Sequence, residues 1–518
     1  MQDLPVYTLL YSGIQRTEVT GDFTLPDYLP DVRRILRVSA EARVTSRSMT
    51  GERLTVTGDA ALTLLYCSEE NTVRAFQVSI PFSHSISVAG LDESAFITAK
   101  LTAENTSCRL IGPRRCTLRT TPSINVRALA ARKTAPDTNA LSDAIKEGAL
   151  YTHTTPVPAS CLTYAARDGL RYAEDIPLKN ARAASVLRCS CEVCVSECRT
   201  AEGSVTLKGT LEVCVLCAVM EDGAIRNKAL TCSIPFAETL EDGCIREGDT
   251  CEPDITVTAV TPSIVGDGSS IGVDCTVDIS CICAQNVTLD IVCDAYLSDR
   301  DVAISLEEQT VIRPHKTIIG TIPLTHTVKT DSQARAKALI DASARITQER
   351  CEIAGGKIKY QGTAELSMIF ENEDGEFVPE LSSTPIQFEA DAPPVDPAHL
   401  YTEADCRPSR LSFRFDESGT AAFDGECSIL LTVMEKSKIH LPRCLTTTDE
   451  PTFEAPKYPL ILCYPQSGES LWDIAKRYHV STEVLCRAND LDPDTGILTT
   501  DASPLLIPIH EQFSLGIT

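Results

Sequence analysis

Residues 54–66 read LTVTGDAALTLLY, and two later stretches repeat their pattern: residues 205–217 read VTLKGTLEVCVLC and residues 358–370 read IKYQGTAELSMIF. In each, apolar side chains fall at every second position around one glycine, which is strand spacing rather than helix spacing. The glycines are Gly58, Gly209 and Gly362, so the period is 151 and then 153 residues. The likeness extends outward. Arg37 to Gly58 aligns with Arg188 to Gly209 without a gap, and Ser79-Ile80-Pro81-Phe82 returns as Ser233-Ile234-Pro235-Phe236 and, more loosely, as Thr384-Pro385-Ile386-Gln387-Phe388. Thr50-Gly51, Glu202-Gly203, Asp222-Gly223, Gly355-Gly356 and Asp374-Gly375 punctuate the apolar runs as hairpin turns do. The pattern predicts three copies of one antiparallel β-sandwich-like domain, with each glycine marking a bulge or a close backbone crossing. The period is too long for a solenoid, whose repeats span about 20–50 residues.

The chain then divides into copy one (1–133), a linker (134–180), copy two (181–300), a connector (301–325), copy three (326–438), a Pro-containing linker (439–457) and a small C-terminal domain (458–510). Short helices are expected at Asp143 to Leu150 and at Asp331 to Leu339. The last linker carries Pro442, Pro451 and Pro456 and reads as a stiff spacer that holds the C-terminal domain away from the repeats.

Composition excludes several function classes. A hydrophobic share of 43% with 23% charged residues is that of a globular chain able to bury cores. A formal net charge of −25 argues against nucleic acid or an anionic membrane as direct ligand, and a basic protein partner is easier to accommodate. The N-terminus, MQDLPVYTLLYSGIQRTE, carries an early acid and no long apolar core, so a cytoplasmic protein without signal peptide or transmembrane segment is expected.

Among 23 cysteines, Cys189, Cys191, Cys194 and Cys198 form a run with metal-ligand spacing. The run lies on a predicted strand, where alternate residues point to opposite faces, and its counterparts in copy one are Val38, Ala40, Arg43 and Arg47. Buried free thiols are expected there, with no metal and no cofactor. The eight histidines are scattered, and neither a Gly-x-Ser-x-Gly elbow nor a phosphate-binding loop is present, so no enzyme activity is expected.

Near the C-terminus the periodicity changes. Ser470 and Asp473 have capping-box spacing, and Leu471, Ile474, Ala475 and Tyr478 make one helical stripe. Ser481 and Glu483 start a second helix that Asn489 and Asp490 end. Short apolar runs at Leu460 to Tyr464 and Leu505 to Ile509 flank the pair, giving β-α-α-β. This stretch resembles a LysM domain, a small α+β module. The resemblance implies a binding surface on the loops 466–471 and 491–502, for either N-acetylglucosamine polymers or a protein: Gly468, Glu469, Ser470, Leu471, Trp472, Leu491, Asp494, Thr500 and Asp501. Thr499-Thr500-Asp501-Ala502 stands where LysM domains usually carry Pro-Gly-Gln.

Leu25-Pro26-Asp27-Tyr28-Leu29-Pro30-Asp31-Val32, followed by Ile35-Leu36, Thr57-Gly58, Leu65-Tyr66 and Ile80-Pro81-Phe82, resembles the SPOCS domain of spore-forming Firmicutes. Tandem SPOCS repeats ending in one LysM resemble the SipL/SpoVID-like spore coat morphogenetic proteins. The resemblance implies a noncatalytic scaffold in the mother-cell cytoplasm, at the forespore surface, whose LysM engages a SpoIVA-like coat ATPase and other coat proteins. The alternative it carries is a LysM-mediated peptidoglycan-binding protein of the cortex or wall.

Overall fold

The three quoted stretches become equivalent strands in the computed structural model, which describes residues 5–141, 149–329, 336–416, 420–447, 458, 460–466, 468–492 and 504–509. They are β4 (Arg53–Ser68), β10 (Ser204–Glu221) and β16 (Lys357–Asn372), and the glycine is the sixth residue of each. Alternation sends Leu54, Val56, Ala60, Leu62 and Leu64 of β4 into one core, and the corresponding side chains of β10 and β16 into two others. Each strand is the middle of a three-stranded antiparallel meander: β3 (Val32–Thr50) and β5 (Val73–Ser87) flank β4, β9 (Arg182–Ala201) and β11 (Ala224–Glu241) flank β10, and β15 (Ala336–Ala354) and β17 (Phe377–Asp391) flank β16. The predicted turns close these hairpins. Asp222 and Gly223 have φ of 51° and 78°, and Gly355 and Gly356 have 59° and 73°, the positive values that two-residue hairpin turns require.

A second layer covers each meander. Copy one uses β1 (Val6–Arg16), β2 (Val19–Thr24), β6 (Phe96–Gly112) and β7 (Arg115–Arg132). Copy two uses β8 (Leu150–Pro177), β12 (Thr250–Val265) and β13 (Ser270–Leu297), and copy three uses β14 (Val302–Lys329), β18 (Leu400–Phe415) and β19 (Thr420–Thr447). The mainly β architecture is therefore as expected, but the linkers are not. Residues 150–177 of the expected linker are strand β8, and the expected connector 301–325 lies almost wholly in β14, so copies two and three each begin with the strand that precedes their meander. Prolines disguised them. Pro156 and Pro158 lie on β8, which is an edge strand, and Pro314 sits beside a bulge, positions where a missing N–H costs no ladder bond. Likewise β19 runs to Thr447, and Pro442 lies where it pairs with β14 alone. Residues 448–457, with Pro451 and Pro456, lie outside the described residues. Of the two expected helices, 143–148 and 331–335 also lie outside them; Leu150 opens β8, and Ala336–Leu339 opens β15 as strand.

The three copies meet around a shared pseudo-threefold centre. Arg37 pairs with Leu65, Arg188 with Leu216 and Asp341 with Ile369, so these positions are equivalent in register. Just before each, the ladder skips one residue, Leu36, Leu187 or Ile340. Such a bulge turns two neighbouring side chains toward the same side. Leu36, Leu187, Ile340, Leu65, Leu216 and Ile369 consequently pack into one apolar cluster, drawn from all three meanders. Beside it the carboxylate of Asp341 accepts from Arg37 and, at 2.9 Å, from Arg188; Arg37 also donates to the Ser367 carbonyl at 2.7 Å. A second charged knot joins the covering layers, where Arg127 of copy one meets Glu252 of copy two and Glu403 of copy three.

Candidate functional site

The C-terminal domain forms as its sequence predicts, with β20 (Leu460–Cys463), α1 (Leu471–Arg477), α2 (Thr482–Ala488) and β21 (Leu505–Pro508). Ser470 caps α1 through a complete capping box: its Oγ accepts from the Asp473 amide at 3.1 Å, and its own amide donates to Asp473 Oδ2 at 3.0 Å. The Ser470 hydroxyl, which donates to Asp473 Oδ2 at 2.6 Å, and the Ser470 amide together hold the Asp473 carboxyl below its ordinary range. Asn489 closes α2 and ties it to β21, donating to the carbonyls of Leu485 and Leu506 and accepting from the Leu506 amide at 2.7 Å. Cys463, Leu471, Ile474, Ala475, Val480, Leu485, Leu505 and Ile507 form the core.

The domain does not stand off from the repeats. Its first helix lies against the end of copy two, where β8 begins and β13 finishes. Trp472 Nε1 donates to Asp294 Oδ2 at 2.8 Å, and Lys476 Nζ donates to both oxygens of the same carboxylate, at 2.6 and 2.9 Å. The indole stacks on His153, with ring centroids 5.1 Å apart, and leans on Tyr296 at 4.9 Å. Tyr296 is fully buried; its hydroxyl donates to the Val480 carbonyl at 2.6 Å, and His479 Nδ1 lies 2.6 Å from the Leu297 carbonyl. Burial acts to raise the Asp294 carboxyl, but the hydrogen bonds from Lys476 and Trp472 outweigh it and hold the group below the ordinary carboxylate range. The expected stiff spacer is thus overridden by an aromatic and ionic seam.

This seam redefines the predicted binding residues. Trp472 faces copy two, and Leu471 is buried core. Ser470 is spent on the cap. Glu469 accepts from the Gln466 amide at 3.0 Å and pairs with Arg477. Leu491 packs on the domain core, while Gly468, at φ +86°, is exposed. Asp494, Thr500 and Asp501 lie outside the described residues. What the sequence reading missed is the outer face of the two-stranded sheet. Leu462 pairs with Leu506 and Leu460 with Pro508, and Leu460, Leu462, Leu506 and Tyr464 are all exposed, as is Tyr458. Period-two alternation within LILC separates the two faces; only the placement of the helices decides which one points out.

The cysteine run on β9 does not converge. Cys191 turns to Cys275 of β13, Cys194 lies 3.8 Å from the Pro408 carbonyl of copy three, and Cys198 meets Cys251 and Cys281, whose hydrogen bonds hold its thiol down at about 5. Two cleft-like cavities, of about 380 and 500 Å³, flank Lys100 where the covering layers of the copies adjoin. Burial disfavours the charged Lys100 ammonium, but Asp405, Asp254, Glu252 and Glu403 around it raise its pKa. Among the described residues no helix is long and apolar enough to cross a membrane.

Residues 31–111 match the SipL, SPOCS domain family, and residues 466–499 match the LysM domain family. The first match spans the meander of copy one and most of β6; the second spans the capped helix pair. No curated protein and no solved structure matches the chain. The chain carries a SipL-type SPOCS domain and a C-terminal LysM domain, as the resemblance implied. Both are binding or scaffold modules, the first associated with sporulation and the second with peptidoglycan.

Proposed function

We propose that this chain is a noncatalytic adaptor of spore coat assembly, working in the mother-cell cytoplasm at the forespore surface, which presents its LysM domain to a SpoIVA-like coat ATPase and other coat proteins. The observation that carries the reading is the seam at Asp294: a module seated on a three-copy β body by Trp472, Lys476 and His479 is held in one orientation rather than tethered loosely. Fixed presentation lowers the ordering cost of an interface. The proposed contact is the edge that the LysM resemblance assigns to Gly468, Asp494, Thr500 and Asp501, with Glu469, Ser470, Leu471, Trp472 and Leu491 as its supporting residues. The net charge of −25 suits a basic partner surface.

The LysM match supports a second reading, in which the same edge takes an N-acetylglucosamine polymer. One experiment separates the two. The full chain and its Asp501→Lys variant are assayed side by side for binding to a purified SpoIVA-like ATPase and for co-sedimentation with peptidoglycan. The adaptor reading expects ATPase binding that falls at least tenfold in the variant, with the wild type staying in the peptidoglycan supernatant. Sedimentation with peptidoglycan and no ATPase binding would establish the glycan reading instead.

A further inference from the structure

Copy two gathers four thiols that neither sister copy brings together. Cys198, Cys251 and Cys281 have their sulfurs all within 4.8 Å of one another, and Cys283 Sγ lies 3.9 Å from Cys281 Sγ. The strands bring them together from both layers. Cys251 of β12 is directly opposite Cys283 of β13, Cys281 lies two residues along β13 on the same face, and Cys198 comes from β9 in the facing sheet. Four thiolates around a tetrahedral zinc, at Zn–S of about 2.3 Å, lie about 3.8 Å from one another. The Cys281–Cys283 separation is already there.

Packing does not demand these cysteines. Arg47, Cys198 and Cys351 are register equivalents, opposite Val56, Leu207 and Tyr360. At spacings of 153 and 152 residues, Cys281 corresponds to Ala128 and Val433, and Cys283 to Ala130 and Glu435. Ala128, Val433 and Ala130 are fully buried, so the same sandwich closes elsewhere over plain apolar side chains. Four soft donors converging in one copy are a ligand set in excess of what the fold uses.

The geometry points to a binding site for a thiophilic divalent d10 cation, zinc(II), held by Cys198, Cys251 and Cys281 with Cys283 as the fourth ligand. Loading sends to solvent whatever protons the four sulfurs still carry and forms four zinc–thiolate bonds; nothing is oxidised or reduced. Donors carried on strands rather than loops are preorganised, and Cys198, only partly buried, marks the way in. A zinc here ties β9 to β12 and β13, clamping the two layers of the copy on which the LysM sits.

The test is metal content of the full chain, purified anaerobically under reductant, exposed to zinc and then gel-filtered. One zinc per chain is expected. The variant Cys281→Ala/Cys283→Ala, which copies the alanines of copy one, should keep the wild-type circular dichroism and retain less than a tenth of that zinc. The variant Cys191→Ser/Cys194→Ser should retain all of it. Cobalt(II) in place of zinc should show a thiolate-to-metal charge-transfer band that the first variant lacks. Wild type holding less than a tenth of a zinc per chain overturns the proposal. So does zinc kept by the first variant, or a Cys251–Cys283 disulfide found in place of the metal.

Discussion

Asp294 is the residue on which the placement of the LysM turns. Its carboxylate takes three hydrogen bonds from α1, two from Lys476 and one from Trp472. Such charge-assisted bonds to a half-buried group are stronger than neutral ones. The chain has one tryptophan, so Trp472 fluorescence reports the seam without interference. Asp294→Ala should shift its emission to the red at neutral pH while the capped helices stay intact, and unchanged emission would refute the docking. Because the folded carboxyl is held below its ordinary pKa, its stabilisation is complete above about pH 4 and is lost as pH falls through the depressed value. The same red shift should therefore appear in wild type on acidification below about pH 4.

At the scale of the strand, the repeating glycines do not carry equal weight. Each sits where its ladder slips register, as a bulge does. A Cβ at Gly58 or Gly209 would run into the carbonyl oxygen of Arg43 or Cys194 across the ladder and into the ring of Phe82 or Phe236. At Gly362 the ladder slips by more, no backbone atom is that close, and the nearest group is the Tyr360 hydroxyl at 2.9 Å, with Ile386 in place of the phenylalanine. Gly58→Ala and Gly209→Ala should each destabilise by roughly 1–3 kcal/mol, as overpacking of a filled core does. Gly362→Ala should cost clearly less. Urea midpoints of the three variants check the order, and an equal loss at all three would show that the carbonyl contacts are not its cause.

On the scale of the whole molecule, the three copies are one body because equivalent positions have diverged in charge. Two of the three central positions are arginine and the third is aspartate, so Asp341 neutralises what would otherwise be buried repulsion between Arg37 and Arg188. Burial pulls the Arg37 guanidinium below its ordinary value even with that carboxylate beside it. Asp341→Ala should cost about 3–5 kcal/mol, since it strands two buried cations. The triple change Arg37→Met, Arg188→Met, Asp341→Leu should recover most of that loss, because the surrounding cluster is apolar. Chemical denaturation of the single and triple variants decides this; a triple variant as unstable as Asp341→Ala would mean that the ion group orders the interface beyond its charge balance.

Gly58, Gly209 and Gly362, the period-two runs around them, the turn dipeptides and the Ser470 capping box all act through neighbours a few residues away, and from them the sequence by itself determined the three meanders and the β-α-α-β module. It did not reveal the opening strands of copies two and three, since a proline-bearing edge strand is held by its partner across the sheet and not by its own propensity. Nor did it reveal where Trp472 goes, which carboxylate Arg37 and Arg188 share, or that Cys198 leaves its own run for Cys251 and Cys281. Those contacts join residues 178, 304, 153, 53 and 83 positions apart. Separations of that size leave no periodicity to read, and only the closing of the sheets and the gathering of three copies around one centre brings the groups together.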